Sequence, residues 1–246
     1  HRDLHSFPTR RSSDLYDRLV LTANPDWDCS DEVTFRNNAV TILASSATTI
    51  GKARLLKDGT KVALGQKPVS GVFDGSFYIQ EDDRSAGIKV LSSSAPGVGQ
   101  LAEAAGTVTM AGGEKVLVAD SVTSGAAASI RPIAVLRNHW LGGHLYGPEG
   151  LLGFDDWAGI RSLLNTGLLV SVTGQVTYAD PAGAFAYIHD GSMPFTDGNK
   201  LAAAGADVEG VRILLPAGAS APQAGAWVAV TGVSSTATVG GRPARV

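Results

Sequence analysis

Internal repetition is the feature that most constrains how this chain can fold. One pattern of glycines and apolar residues runs through residues 59–118 and returns, with one insertion, through residues 167–246. The matched positions keep their order, so that Gly59, Val62, Leu64, Tyr78, Ile79, Gly99 and Gly106 correspond to Gly167, Val170, Val172, Tyr187, Ile188, Gly225 and Gly232. Repetition over this length predicts two similar domains.

Each copy contains short segments with the composition of β-strands. In the first copy these segments are VALGQKPVSGVF, FYIQ, GIKVL, AEAAGTVTM and KVLVADSV, separated by Gly, Asp, Ser and Pro. Such segments are rich in β-branched and apolar residues, as strands are. Five strands without a long helix between them predict a small Greek-key barrel, since closure removes exposed strand edges. The sequence therefore predicts an all-β protein with two five-stranded barrels in tandem.

Two segments with helical spacing flank the predicted barrels. In TTIGKARLLKDGT, apolar residues at Ile50, Ala53, Leu55 and Leu56 predict a short helix before the first barrel. In LLGFDDWAGIRSLLNTG, the amphipathic spacing indicates an interdomain helix as an alternative to a loose linker. The predicted organisation is a first barrel over residues 51–124, a connector over 125–166 and a second barrel over 167–246.

The beginning of the chain follows a different pattern. Residues 1–15, HRDLHSFPTRRSSDL, resemble a translated sequencing-adapter read-through, so we set them aside from fold reasoning. Within residues 16–50, VTFRNNAVTIL predicts two short strands around an asparagine corner, either a β-hairpin or one rung of a β-helix. The segment resembles the last rungs of right-handed β-helix proteins of the pectin-lyase type. That resemblance implies a larger exported protein with a further N-terminal domain.

A second resemblance concerns the barrels themselves. FDGSFYIQEDDRSAGIKV followed by GTVTMAGGEKVLVADSV is similar to the OB-fold modules found in tandem in uncharacterised bacterial secreted proteins. The resemblance extends over nearly all of residues 51–246. It implies OB-type barrels and an extracellular or cell-surface location. It does not imply a specific activity.

The sequence gives little support to catalysis. His139 and His144 lie near Asp155 and Asp156, but their spacing matches no known metal motif. The adjacent carboxylates of residues 81–83 are more typical of a solvated turn than of an acid–base pair. The chain contains no GxSxG elbow, P-loop or dinucleotide fingerprint, and one cysteine, Cys29. We therefore predict no catalytic residues, metal or cofactor in this chain, although a further N-terminal domain could be catalytic.

Binding is the better-supported class of function. OB barrels bind ligands across their second and third strands and the neighbouring loops. The candidate residues there are Phe77, Tyr78, Gln80, Arg84 and Lys89 in the first copy, and Phe185, Tyr187, His189 and Arg212 in the second. Aromatic faces stack on sugars or bases, and Arg and Lys donate hydrogen bonds. Because strand alternation sends some of these rings inward, core packing of Tyr78 and Tyr187 is the competing interpretation.

The charge of the protein helps to decide between glycans and nucleic acids as ligands. The chain has a net charge of −3, and no apolar run reaches the ~18 residues of a membrane-spanning helix. Binders of single-stranded nucleic acid pair aromatic side chains with a basic groove. An acidic chain with Glu81, Asp82 and Asp83 beside the candidate face favours a glycan or cell-surface polymer instead. The alternatives are a purely structural role in interdomain packing and binding of single-stranded nucleic acid.

Overall fold

Strands dominate the part of the chain that the structure describes. The computed structural model describes residues 49–142, 164–194, 196–201, 205–239 and 242–246. These residues form many strands and one short α-helix, which confirms the all-β class. The predicted hairpin or β-helix rung lies outside the described residues, and so does most of the predicted connector helix.

The first unit contains one helix and five strands. They are α1 (Ile50–Leu55), β1 (Lys61–Phe73), β2 (Ser76–Gln80), β3 (Gly87–Leu91), β4 (Gln100–Ala111) and β5 (Glu114–Ala127). The helix begins after Thr49, whose hydroxyl accepts a hydrogen bond from the Lys52 backbone N–H at 3.3 Å. Its position confirms the short helix predicted from apolar spacing.

These five strands close into a barrel in the order β1-β2-β3-β5-β4. β1 pairs with both β2 and β4, and the register of β1 shifts between Val69 and Gly71 where the strand bends from one partner to the other. β3 and β5 run parallel, which gives the Greek-key crossover. The barrel is filled by inward-facing residues that include Val62, Leu64, Val69, Phe77, Ile79, Ile88, Val90 and Leu117.

The second unit follows the connector, of which the structure describes residues 128–142 and 164–166. The connector contains β6 (Ile133–Ala134) and a 3₁₀ turn (Asn138–Trp140). The strands of the second unit are β7 (Leu169–Ala179), β8 (Phe185–His189), β9 (Thr196–Leu201), β10 (Ala206–Glu209), β11 (Val211–Leu214), β12 (Trp227–Val233), β13 (Thr236–Val239) and β14 (Arg242–Arg245).

Its main sheet has the strand order β11-β8-β7-β12, which corresponds to β3-β2-β1-β4 of the first unit. The sequence insertion forms a separate hairpin, β9 with β10, between the second and third strands of this sheet. β14 pairs with β13. Among the described residues it does not return to β11, so this sheet is open at the edge where the first barrel is closed.

The two units pack against each other through closely spaced backbone. A Cβ atom placed on Gly87 would lie 2.1 Å from the carbonyl oxygen of Gly167, so neither chain segment has room for a side chain. The Arg54 guanidinium is buried beside them. Its Nη1 donates to the carbonyl oxygens of Gly87 at 2.7 Å and Thr166 at 2.6 Å. One side chain therefore satisfies backbone acceptors from both units.

Candidate ligand-binding face

The outer surface of β2 and β3, called here the first face, carries the candidates predicted in the first unit. Side chains along β2 alternate between the barrel core and this outer surface. Phe77 points into the core and is fully buried. Its ring packs among core residues and does not reach this face. Arg84 lies in the turn after β2, exposed and with a left-handed φ of 62°.

The second unit covers most of the first face. Tyr78 is 2% exposed, and its hydroxyl lies 2.8 Å from Glu114 Oε1 and 2.5 Å from Ser235 Oγ of the second unit. Gln80 is also buried, and its Oε1 accepts a hydrogen bond from the Leu169 backbone N–H at 3.1 Å. Both side chains are therefore engaged in packing between the units.

Lys89 interacts with both Glu114 and Tyr78 at the contact between the units. Its Nζ lies 3.4 Å from Glu114 Oε1 and 5.6 Å from the centroid of the Tyr78 ring. Ser235 Oγ lies 3.1 Å from the same carboxylate oxygen. Burial nevertheless raises the pKa of Glu114, although its hydrogen bonds and Lys89 oppose the shift. The pKa of Tyr78 rises well above its ordinary range through burial and the neighbouring Glu114 charge, so the phenol remains a donor.

Glu114 should make stability depend on pH. Because its folded-state pKa lies above the ordinary value of 4.5, the folded protein binds the proton more tightly than the unfolded chain. This contribution to stability is present at low pH and is lost as the pH rises from about 4.5 through the raised pKa. We expect Glu114→Gln to remove that pH dependence, measured as urea unfolding free energy across the range.

Glu103 provides the matched control, since it is an exposed glutamate on β4. Glu103→Gln is measured across the same pH range as the reference variant. A profile for Glu114→Gln parallel to that of the unaltered protein would show that the buried carboxyl does not titrate differently in the folded state.

The corresponding outer surface of β7, β8 and β11 is called here the second face. Tyr178 and Phe185 are partly exposed on it, and their rings stack with centroids 5.9 Å apart and an interplanar angle of 25°. The Arg212 guanidinium carbon lies 3.6 Å from the Phe185 ring centroid. Leu214, 51% exposed, extends the apolar part of this surface. The second face therefore combines an aromatic platform with the Arg212 guanidinium.

Tyr187 lies two residues after Phe185 on β8 and points to the same side of the sheet. It is fully buried, and its hydroxyl donates to Asp197 Oδ2 of β9 at 2.6 Å. Burial and then the hydrogen bond to Asp197 raise the pKa of Tyr187. The Phe185 and Tyr187 rings meet edge to face with centroids 6.1 Å apart. Tyr187 therefore packs against Phe185 on this side of the sheet but is not itself exposed.

His189 lies at the edge of the second face, at the end of β8. Its Nδ1 accepts a hydrogen bond from the Gly191 backbone N–H at 3.2 Å, and its Nε2 is 3.3 Å from the Met193 carbonyl oxygen. The ring is thereby held in the turn that follows β8. It remains partly exposed.

The structure thus divides the nine predicted residues into two groups. Phe185, Arg212 and His189 are accessible on the second face, and Arg84 and Lys89 are accessible or partly so in the first unit. The remaining four, Phe77, Tyr78, Gln80 and Tyr187, are buried. Sequence reasoning did not include Tyr178, which pairs with Tyr187 across β7 and β8. The sequence signal that could have identified Tyr178 was an aromatic residue near the end of β7.

The described residues add two findings about other kinds of site. No group of three or more His, Cys, Asp or Glu side chains in them is placed to hold a metal ion. His139 lies in the 3₁₀ turn, while His144, Asp155 and Asp156 lie outside the described residues. No helix within the described ranges is long and apolar enough to cross a membrane.

Comparison with known proteins provides one distant similarity. No protein-family model matches the chain. No curated protein matches it significantly either. Among solved structures, the hypothetical protein YgiW from E. coli is 21% identical, with a TM-score of 0.28, over 32% of this chain and 89% of that chain. At this TM-score the similarity carries no argument about function.

Proposed function

We propose that this chain is a non-catalytic binding module of a larger exported protein and that it contacts a glycan or cell-surface polymer through the second face. The supporting observation is the partly exposed Tyr178–Phe185 stack with Arg212 beside it. Aromatic rings of this kind give sugar rings a flat apolar surface on which to pack. Polar groups around such a platform fix the orientation of the ligand.

The difference between the two faces supports this choice of site. The first face is covered by the second unit, which contributes Ser235 and the Leu169 backbone to it. Phe73 is an exposed aromatic residue of the first unit, 53% exposed, and its ring packs edge to face on the buried Tyr78. It has no stacked aromatic neighbour among the described residues. Phe73 therefore serves as a control for nonspecific aromatic contacts.

The test is binding of the whole chain to a glycan array, with fluorescent single-stranded DNA and RNA alongside at physiological salt. We expect glycan binding that is lost in Phe185→Ala and retained in Phe73→Ala, with circular dichroism confirming that both variants fold. Equal loss in both variants would argue against the second face. Salt-sensitive nucleic-acid binding would overturn the preference for glycans, because phosphate contacts produce steep salt dependence.

A structural role is the second candidate, and the covered first face favours it. Tyr78, Gln80 and Glu114 form hydrogen bonds across the contact between the units. These side chains lie where an OB barrel could bind a ligand, but in this protein they pack between the two units. If no ligand binds in the array experiment, this architectural function takes precedence.

A further inference from the structure

The two units share a tyrosine–cation pair on equivalent strands. Tyr78 on β2 is the register partner of Lys89 on β3, and Tyr187 on β8 is the register partner of Arg212 on β11. The cation lies near the ring in both units, 5.6 Å from the Tyr78 centroid for Lys89 and 5.8 Å from the Tyr187 centroid for Arg212. The pairs are therefore geometrically alike.

The turn position that supplies the carboxylate beside Lys89 differs between the two units. Lys89 faces Glu114, the residue that pairs with Ala111 across the β4–β5 turn. The same place in the β13–β14 turn is occupied by Arg242, paired with Val239. At this position the second unit has a basic residue where the first has an acidic one.

Two nitrogens of the Arg212 guanidinium lack an acceptor. It forms no salt bridge with any described residue, and its Nε and Nη1 are buried without a hydrogen-bond partner. Buried donors without acceptors cost roughly 1–3 kcal/mol each, and more when charged. The guanidinium packs on the Phe185 ring. Because a guanidinium is planar and donates two parallel hydrogen bonds, its preferred partner is a carboxylate, which can accept both.

We propose that the second face binds a mainly neutral glycan carrying isolated carboxylated sugars, with the carboxylate on Arg212 and a sugar ring on the Tyr178–Phe185 stack. This inference rests on the proposed function and names its ligand class. Arg212 is partly exposed, so its side chain can rotate from Phe185 to meet the carboxylate. Asp190 and Asp197 lie near this face, which disfavours a ligand charged at every residue.

The experiment compares two forms of one polymer. The full chain is titrated by calorimetry with a glucuronic-acid-branched xylan oligosaccharide and with the same oligosaccharide after its carboxyl groups are reduced to alcohols. We expect the carboxylated form to bind at least roughly tenfold more tightly, the smallest effect typical of a charged hydrogen bond. Arg212→Lys and Arg212→Gln should both remove this preference, so that each variant binds the two forms with equal affinity.

Arg131→Lys is the matched control, because Arg131 is exposed in the connector. It should keep the preference intact. Equal binding of both oligosaccharides would overturn the carboxylate inference and leave the proposed glycan function standing. Binding of neither, with no other glycan bound on the array, would count against the proposed function itself. Tighter binding of single-stranded DNA than of the carboxylated oligosaccharide would assign Arg212 to phosphate.

Discussion

Gly87→Ala is expected to destabilise the protein by roughly 3 kcal/mol, the upper part of the range for overpacked sites. The added Cβ would lie 2.1 Å from the Gly167 carbonyl oxygen and 3.0 Å from the Leu168 backbone nitrogen. Backbone atoms cannot move aside as the end of a flexible side chain can. Relief of the clash therefore requires the two units to separate locally. Urea denaturation measures the loss.

Gly65→Ala is the control for this substitution. Gly65 also lies in a strand, has no positive φ, and a Cβ added there has no atom within 4 Å. Its effect should lie within about 0.5 kcal/mol, as for ordinary surface changes. Similar losses in the two variants would show that contact between the units does not determine the result.

Arg54→Met is the second substitution with a large expected effect. The change removes the donor shared by the Gly87 and Thr166 carbonyls and leaves both acceptors buried. Each buried carbonyl left without a donor costs about 1–3 kcal/mol. Methionine keeps much of the length and apolar volume of the side chain. The loss should therefore report hydrogen bonding more than packing, and thermal unfolding measures it.

Lys52→Met is the matched substitution, since Lys52 is exposed on the same helix. It should change the free energy of unfolding by no more than about 0.5 kcal/mol. A melting temperature for Arg54→Met equal to that of Lys52→Met would contradict the bridging role of Arg54.

The sequence predicted local structure well where the pattern was strong. Strand segments with β-branched residues and glycine turns gave the strands of the first barrel, and Gly112 and Gly113 take the positive φ values, 62° and 89°, that their turn requires. Apolar spacing around Ile50 and Ala53 likewise gave the short helix, and both residues are buried. Such features depend on neighbouring residues, which the sequence displays directly.

The candidate site was harder to predict because it depends on contacts between distant residues. Tyr78 and Ser235 are 157 residues apart, and no local pattern shows that one covers the other. Side chains alternate between the two sides of a strand, but alternation alone does not show which set faces outward until the register is known. Tyr187 illustrates the limit, since it points to the outer side of its sheet yet is buried by its neighbours and the β9 carboxylate of Asp197.

The covered first face has a consequence for any molecule that would bind there. Ser235 belongs to the same polypeptide as Tyr78, so it acts as an occupant held in place by covalent connection. Because Ser235 cannot diffuse away, its concentration near Tyr78 stays far above its concentration in bulk solution. A free molecule that binds the first face would therefore have to displace Ser235 from Tyr78 against this local concentration.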